Sequence, residues 1–393
     1  MKEGWRVVRL GDVCSFEKEQ DVHTGLAYVG LENIESGTGR LLGATNAVSV
    51  KSATFRFSSE HVLYGRLRPY LNKVLLPDFE GHCSTEIFPI RPGPDVSRRY
   101  LAHWLSMDAT VKSIDATSTG SRMPRANMNA VLDFELPVPP VSEQHRIVAI
   151  LDGAFEDIAT AKANAEKNLQ NAQQLFVSHR KALLSSVDHG WSEAPLHDLC
   201  DIKHGYAFEG EFFASEGDYV LLTPGNYFES GGYRDRGRKQ KFFTGPIPSD
   251  YILAEDSLLV AMTEQAAGLL GSPLLVPEPN RFLHNQRLGL VVGKPGAAWV
   301  NEFFFHVFNL TRVRAEIHAS ASGVKVRHTS PSKIGAVRVA FPPTVADQRE
   351  VASKLYELVS ECDQLSSIFG RKLAALDELK RSLLHQAFSG GLS

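Results

Sequence analysis

Two long stretches of regularly spaced apolar residues constrain the fold more than any other feature of this 393-residue chain. In the first, over residues 142–187, apolar side chains recur at alternating steps of four and three: Ile147, Leu151, Ala154, Ile158, Ala161, Ala165, Ala172, Leu175 and Ala182. A period of about 3.5 residues predicts a helix that buries one stripe of side chains against another helix. About 45 residues of helix would be roughly 67 Å long, which is too long for a core element of one compact domain.

The predicted partner helix lies near the other end of the chain. From Val351 the pattern returns at Leu355, Leu358, Cys362, Leu365, Phe369, Lys372, Leu376, Leu379 and Leu383. A Pro-Pro pair precedes each stretch, and residues 5–14 align with residues 191–200. We therefore predict an internal repeat, because self-similarity of this kind marks a duplicated architecture. The first helix leaves the first globule and the other starts at the second, so the two should run antiparallel.

The fold class that we predict is α+β: two globular α/β domains separated by two long antiparallel coiled-coil helices, with an internal pseudo-twofold repeat. The predicted segments are the first globule at 1–141, the first helix at 142–189, the second globule at 190–343 and the second helix at 344–393. Within the globules, strand patterns occur at 61–64, 86–90, 257–261 and 287–292, and short helix patterns at 98–106 and 301–309. Neither globule shows the alternating strand–helix units of a doubly wound sheet.

The composition is that of an ordinary globular protein, with 43% hydrophobic residues, 22% charged residues and a net charge of −3. Residues 1–141 carry 16 basic and 16 acidic side chains, and residues 190–343 carry 15 and 16. Nucleic-acid binding would therefore depend on local clusters of cations or on a more basic partner. The four cysteines lack CxxC spacing, and the sequence shows neither a membrane span nor a signal peptide. These features predict a cytosolic protein.

Motifs for catalysis are missing from the sequence. Residues 289–295 resemble a phosphate-binding loop, but they are one residue short and have Pro295 where Ser or Thr must reach Mg²⁺. The histidines show no zinc-ligand spacing. We expect a non-enzymatic chain without a metal or cofactor of its own.

Four segments carry a resemblance to a known family: 136–148 with its Pro-Pro-Val-Ser-Glu-Gln run, 5–10 at the start of the chain, 64–73 with its Tyr-Gly-Arg-Leu-Arg-Pro run, and Ser84-Thr85-Glu86. Together with the repeated order of globule and long helix, they make the whole chain similar to the specificity (S) subunit, HsdS, of type I restriction-modification systems. The second half departs from the pattern at 261–265 and 344–346. Divergence there is expected if the second globule reads different DNA.

The resemblance implies a DNA-recognition subunit without chemistry of its own, in the cytoplasm of a bacterium or archaeon. Each globule would read one half of a bipartite, asymmetric target in double-stranded DNA. The coiled coil would space the halves and dock two modification subunits, which bring S-adenosylmethionine and methylate adenine. Restriction subunits would add translocation and cleavage that use ATP and Mg. The competing hypothesis is a non-catalytic coiled-coil adaptor whose globules bind proteins, which the near-zero charge of both globules supports.

The candidate DNA-binding residues lie at strand ends and in loops. In the first globule they are Arg66, Arg68 and Lys73 after a predicted strand, and Ser121, Arg122 and Arg125 in a loop whose sequence has no acidic residue nearby. In the second globule they are Asn226, Arg234, Arg236, Arg238, His284, Asn285, Gln286, Lys325 and Arg327. The alternatives are a solvated strand end for the first group, a disordered surface loop for 233–241, and buried capping of the backbone for 284–286.

Three apolar residues fall beside the predicted inner stripe of the first helix: Phe155, Leu169 and Phe176. They widen the apolar face beyond what a two-stranded coiled coil needs. They either pack against a globule or form a docking surface for a partner helix, and the resemblance favours the docking surface.

Overall fold

The computed structural model describes residues 4–17, 20–43, 50–184, 190–265 and 268–392. The chain divides into two compact units: unit 1 comprises Met1–Asn168 and Ile368–Ser393, and unit 2 comprises Leu169–Ser367. Each unit therefore combines one globule with part of each long helix, whereas the predicted segments separate helices from globules. The predicted end of the first helix, residues 185–189, lies outside the described residues.

Unit 1 begins with a globule of short strands and helices. Its described residues form β1 (Arg6–Arg9), α1 (Leu10–Val13), β2 (Cys14–Phe16), β3 (Gln20–Asp21), β4 (Ala27–Val29), β5 (Thr54–Phe57), β6 (Val62–Gly65), β7 (Val74–Leu75), β8 (Gly81–Cys83), β9 (Ile87–Pro92), α2 (Arg98–Ser106), α3 (Asp108–Ala116), α4 (Met128–Val131), β10 (Glu135–Val138) and the first part of α5 (Val141–Leu184). One sheet has the strand order β2-β9-β6-β7, and a second has the order β3-β5-β8-β4. β1 pairs antiparallel with β10, so the two ends of the globule lie side by side.

Unit 2 contains the second globule. Its described residues form β11 (Ser192–Pro195), α6 (Leu196–Leu199), β12 (Cys200–His204), β13 (Phe213–Ala214), β14 (Tyr219–Leu221), β15 (Phe242–Phe243), β16 (Leu258–Ala261), β17 (Thr263–Glu264), β18 (Pro273–Leu275), β19 (Phe282–Leu283), β20 (Leu288–Gly293), α7 (Asn301–Phe308), α8 (Thr311–Ala319), β21 (Arg327–His328), α9 (Pro331–Gly335), β22 (Arg338–Phe341) and the first part of α10 (Val345–Ser389). The two larger sheets have the orders β12-β20-β16-β18 and β13-β15-β14-β19, and β11 pairs with β22.

The predicted repeat is present in the strand orders. The sheet β2-β9-β6-β7 of unit 1 has its counterpart in β12-β20-β16-β18 of unit 2, and the pair β1–β10 has its counterpart in β11–β22. The other sheets differ: β4 is an edge strand in unit 1, whereas its sequence counterpart β14 lies between β15 and β19. The repeat is therefore strict in one sheet and relaxed in the other.

The short elements predicted from apolar runs are confirmed. The strand patterns correspond to β6, β9, β16 and β20, and the helix patterns correspond to α2 and α7. β6 and β16 are buried at every position, which explains why their sequences are continuously apolar rather than alternating.

The two long helices pack antiparallel within each unit. In unit 1, Lys380 Nζ lies 5.1 Å from the centre of the Phe155 ring, and Lys162 Nζ lies 2.8 Å from Asp377 Oδ1. Residue numbers that increase along α5 thus pair with residue numbers that decrease along α10, so the two helices run in opposite directions. In unit 2, the Cys362 Sγ–H donates to a carbonyl of α5 at 3.9 Å. These contacts confirm the predicted coiled-coil pairing.

The buried stripe of each long helix departs from the predicted heptad positions. On α5, Leu175 is 55% exposed, whereas its neighbour Phe176 is half-buried. On α10, Leu365 is 42% exposed and Leu379 is 47% exposed, whereas Lys380 is half-buried. The stripe advances by about 3.6 residues per turn, so a strict heptad drifts from it by roughly 20° every seven residues. None of the helices in the described ranges combines the length and apolar character that crossing a membrane requires.

A buried glutamine anchors the start of each long helix. The Gln144 side chain is fully buried; its Oε1 accepts from the Ser97 N–H at 2.7 Å, and its Nε2 donates to Asp95 O at 2.8 Å and Pro139 O at 2.9 Å. Gln348 is equally buried, and its Nε2 donates to two backbone carbonyls at 3.0 Å. The glutamines therefore connect each helix to the globule before it.

Candidate nucleic-acid interface

In unit 1, a loop between α3 and α4 carries several of the predicted DNA-binding residues. The loop closes on itself, because the Thr119 N–H donates to Arg125 O at 3.1 Å and the Arg125 N–H donates to Thr119 O at 3.0 Å. It is also joined to two strand ends. The Ala126 N–H donates to Arg66 O after β6, and the Arg66 N–H donates to Glu86 O before β9, each at 2.9 Å. These bonds fix the loop on a rigid sheet, the usual support of recognition loops.

A carboxylate joins two of the predicted arginines. Arg125 Nε donates to the two Glu86 oxygens at 2.8 and 3.0 Å, and Arg125 Nη2 lies 2.7 Å from Glu86 Oε1. Arg66 Nε lies 4.0 Å from Glu86, and the Arg66 guanidinium lies 5.2 Å from the centre of the Phe88 ring. The hydrogen bond to Glu86 raises the pKa of Arg125 above its usual value. The loop sequence has no acidic residue near Arg125, but the fold supplies one, because Glu86 comes from 39 residues earlier.

Both arginines border an open groove of about 510 Å³. Phe88 lines it together with Thr119 and Asn127. The Asn127 Oδ1 also accepts from two backbone N–H groups at the start of α4, at 3.2 and 3.4 Å. The groove thus brings guanidinium groups, an amide and an aromatic ring together, and these are groups that bind base edges and base faces.

The other predicted residues of unit 1 lie in different surroundings. Arg68 is exposed at a tight turn with a φ of 52°, where its N–H donates to Pro124 O at 2.7 Å. Ser121 and Arg122 are exposed at the tip of the loop. Lys73 is half-buried, and its Nζ donates to Leu31 O at 2.6 Å. This bond corrects the expectation that Lys73 contacts DNA, because its ammonium group is bonded to the backbone of a neighbouring segment.

The corresponding loop of unit 2 spans residues 322–329. It closes in the same way, because the Ser322 N–H donates to His328 O at 3.0 Å and the His328 N–H donates to Ser322 O at 2.8 Å. Lys325 is exposed on this loop. Arg327 turns inward instead: its Nη1 lies 3.4 Å from Glu264 Oε1, on a side chain that is 1% exposed. Arg327 therefore neutralises a buried carboxylate, a structural role that its sequence neighbours do not reveal.

The basic segment 233–241, for which a disordered surface loop was the alternative to DNA contact, has a defined conformation in the structure. Gly237–Lys239 form a turn of 3-10 helix, and the Gly237 N–H donates to Asp235 Oδ1 at 2.8 Å. Arg234 is exposed and lies 5.9 Å from the centre of the Phe228 ring. Arg238 is exposed as well, whereas Arg236 is half-buried.

A sequence profile of the family described as type I restriction modification DNA specificity domain matches residues 2–169. The EcoDI type I restriction enzyme specificity subunit of Escherichia coli is 27% identical over 187 residues, which cover 47% of this chain and 41% of that protein. The match thus spans less than half the length of that relative.

Solved structures show the same fold along the whole chain. A chain from work on complex assembly and conformational transition of the type I R-M system gives a TM-score of 0.82 at 20% identity and covers 99% of both chains. The HsdS subunit of Thermoanaerobacter tengcongensis gives a TM-score of 0.65 at 18% identity, covering 100% of this chain and 98% of that one. The chain is thus similar to HsdS specificity subunits, in sequence over residues 2–169 and in fold along its whole length. The family resemblance and the fold class predicted from the sequence are confirmed.

One of the predicted DNA-binding residues of unit 2 lies in the interior. Asn226 is fully buried, and its Nδ2 donates to Arg234 O at 3.3 Å and Gln240 Oε1 at 2.9 Å. Its Oδ1 accepts from the Thr223 N–H at 3.0 Å. The Asn226 amide therefore holds the basic segment 233–241 in place. Because the Asn226 side chain is fully buried, it has no surface left for contact with DNA.

In the segment His284-Asn285-Gln286, the first two side chains are buried and bond to the backbone, as the alternative to DNA contact predicts. His284 is 2% exposed, its Nε2 bonds to Leu288 O at 3.0 Å, and burial lowers its pKa to about 4. The Asn285 Oδ1 accepts from the Arg287 N–H at 3.1 Å. Only the last residue of the three, Gln286, is exposed. Burial of the first two corrects the expectation that their side chains contact bases.

On the two long helices, the three predicted docking residues lie on or near the packed face. Phe155 packs against the unit 1 core, with its ring centre 5.5 Å from that of His103. Leu169 and Phe176 are half-buried on the observed stripe of α5. Phe155 therefore follows the alternative of packing against a globule. The exposed apolar side chains of the unit 2 part of α5 include Leu175 and Val177.

Two charged residues outside the predicted set border the loops that carry the candidate residues. They are Glu86 in unit 1, which holds Arg125, and Arg287 in unit 2, which is exposed. Sequence neighbours do not point to Glu86 as the partner of Arg125, because the two residues are 39 positions apart. The one feature of the sequence that could have indicated Glu86 is its place in the Ser84-Thr85-Glu86 segment that resembles the family.

Proposed function

We propose that this chain is the DNA sequence-recognition subunit of a type I restriction-modification complex, and that each unit reads one half of a bipartite, asymmetric target. One observation carries the proposal. Both units hold a loop, 119–126 in unit 1 and 322–329 in unit 2, with the same backbone closure but different side chains. One scaffold with two sets of side chains suits two different half-sites, because readout depends on the donors and acceptors that the side chains present.

The exposed cations among the candidate residues would contact base edges of their own half-site or its phosphates, which fix the register of the subunit on DNA. In unit 1 these are Arg68 and Arg122, and in unit 2 they are Arg234, Arg238 and Lys325. With a net charge of −3, the subunit supplies little long-range attraction for DNA. Tight binding would therefore require basic surface from partner subunits.

The two long helices would space the half-sites and dock two modification subunits. Those partners would bind S-adenosylmethionine and methylate adenine, and restriction subunits would add steps that use ATP and Mg. This chain would contribute recognition and no catalysis. Exposed apolar side chains on the helices support docking: Leu175 is 55% exposed, Val177 is 53% exposed and Tyr356 is 75% exposed.

Leu175→Asp is expected to weaken assembly with the modification subunits while unit 2 stays folded, because the side chain is already exposed. Gln174→Asp is the matched control, since it places the same charge one residue away and removes no apolar surface. Native mass spectrometry of the co-expressed complex counts the modification subunits, and we expect two for the wild type. Unchanged assembly of Leu175→Asp, or an equal loss in Gln174→Asp, would argue against docking at this face.

The proposed function is tested by co-expressing the chain with a cognate modification subunit and sequencing the methylated adenines of the host DNA. The expected result is one bipartite motif with two unlike halves. A complex that assembles but methylates without sequence preference, and shifts no duplex in a band-shift assay, would favour the protein-binding adaptor instead.

A further inference from the structure

Two positions that line the groove of unit 1, Arg66 and Arg125, and the position of Glu86, which contacts both, have counterparts in unit 2 that are fixed by the same backbone hydrogen bonds. In unit 1, the Arg66 N–H donates to Glu86 O, and the N–H of the residue after Arg125 donates to Arg66 O. In unit 2, the Met262 N–H donates to Arg287 O at 3.0 Å, and the N–H of the residue after His328 donates to Met262 O at 3.0 Å.

The hydrogen bonds therefore pair each position with its counterpart: Arg66 with Met262, Glu86 with Arg287, and Arg125 with His328. The backbone is retained at all three positions, and the side chain changes at all three. This is the pattern expected of positions that differ because the two units read different bases, since conserved hydrogen bonds supply the scaffold and the side chains supply the readout.

In unit 1, the three positions form one charged cluster centred on a carboxylate. Glu86 binds one edge of the Arg125 guanidinium with three contacts between 2.7 and 3.0 Å, and its side chain is only 25% exposed. The Arg66 guanidinium is confined between Glu86 and the Phe88 ring. A guanidinium held along one edge loses rotational freedom, and Arg125 Nη1 also donates to Met123 O at 3.4 Å, so the remaining N–H groups keep a fixed direction.

In unit 2, the same positions have different chemistry. Met262 is 3% exposed and contributes an apolar surface. Arg287 is exposed and occupies the position of the carboxylate. His328 is exposed, and its Nδ1 lies 3.2 Å from the hydroxyl oxygen of Thr263. The sign of the charge at the central position is thus reversed between the two units.

We propose that Glu86 is a positioning residue that determines specificity in the first half-site, by holding Arg66 and Arg125 in the geometry that contacts a guanine edge in the major groove. The fork of an arginine pairs with the O6 and N7 atoms of guanine, which is the contact that this geometry prepares. A carboxylate at the DNA interface repels phosphates, so Glu86 lowers the affinity for all sequences. The contact between its arginines and a guanine offsets this repulsion only at the correct half-site. The inference rests on the proposed function and adds to it the residue that enforces the choice of base.

Glu86→Gln separates this role from a merely structural one. The variant keeps the shape of the side chain but removes the charge that holds the arginines. We expect the preference for guanine at the affected position of the first half-site to fall roughly 5- to 100-fold, the discrimination that a bidentate arginine–base pair supplies. Affinity for non-specific duplex should stay level or rise, because a negative charge leaves the interface. The second half-site should be read as before.

The matched control is Glu80→Gln, which removes the same charge in the same unit. Glu80 forms an exposed pair with Arg56 at 3.5 Å, outside the groove. We expect wild-type base preference for this control. The measurement is competition binding of the reconstituted complex to duplexes that vary at each position of its motif, with non-specific duplex as the reference.

Three outcomes would overturn the inference: unchanged base preference in Glu86→Gln, an equal loss of affinity for every sequence, or the same relaxation in Glu80→Gln. A wild-type complex without a bipartite motif would instead contradict the proposed function. If Glu86→Gln fails to fold, Arg125→Lys takes its place. It keeps the charge and removes the bidentate fork, so it must also relax the base preference without lowering non-specific affinity.

Discussion

Replacing Gln144 with Leu is expected to destabilise unit 1 by about 3–5 kcal/mol, one of the largest effects available to a single substitution here. Leu is close to Gln in volume, so packing changes little. The substitution leaves the Ser97 N–H and the carbonyls of Asp95 and Pro139 without the amide that bonds them in the folded state. Each buried polar group that loses its partner costs about 1–3 kcal/mol.

Two matched variants sharpen this expectation. Gln348→Leu should cost less than Gln144→Leu, because the Gln348 amide donates two hydrogen bonds and its Oε1 has no donor among the described residues. His145→Leu changes an exposed neighbour of Gln144 and should shift stability by less than about 0.5 kcal/mol. Hydrogen-exchange mass spectrometry resolves the two units by peptide, so each of the two glutamine variants should lower protection in its own unit, and His145→Leu should leave protection close to that of the wild type. Equal effects of Gln144→Leu and His145→Leu would contradict the anchoring role.

The architecture could be predicted because its signals are local and repeated. Apolar runs bounded by Gly and Pro predicted β6 and β16, and the two heptad stretches predicted α5 and α10. The exact stripe could not be predicted, because periods of 3.5 and 3.6 residues agree over the first heptads and differ by roughly 80° after four. That accumulated angle moves the buried position from Leu175 to Phe176.

The chemistry of the candidate site was harder to predict, because it depends on contacts between residues far apart in the sequence. Arg125 and Glu86 are 39 residues apart, and Arg327 and Glu264 are 63 residues apart. In the sequence, both arginines have the same basic surroundings as Arg122, which remains exposed at the tip of its loop. The sequence therefore shows which loops carry cations, but it does not separate the cations paired within the fold from the exposed ones.

The second large effect concerns the division of recognition between the units. Arg122→Ala should relax or weaken only the first half-site, and Arg234→Ala should affect only the second. A lost base contact costs about 1–3 kcal/mol at one position, which is roughly a 5- to 100-fold change in preference. A lost phosphate contact weakens all sequences alike and reduces the salt slope by about one. Salt titrations of both variants therefore identify which kind of contact each arginine makes.

Arg125→Ala is expected to have a larger effect than Arg122→Ala. It removes one guanidinium and also leaves Glu86 without its closest cation, so an uncompensated carboxylate would face the DNA. Its base preference and its overall affinity should both fall. Arg122 makes no such pair in the described contacts, which makes it the cleaner probe of the first half-site.

The most direct test of two-part recognition is methylation profiling of the complex reconstituted with wild-type chain, Arg122→Ala and Arg234→Ala. Single-molecule sequencing reads every methylated adenine together with its flanking bases. We predict a bipartite motif for the wild type, a change confined to one half in Arg122→Ala, and a change confined to the other half in Arg234→Ala. If either substitution altered the preference in both halves equally, the assignment of one half-site to each unit would be contradicted.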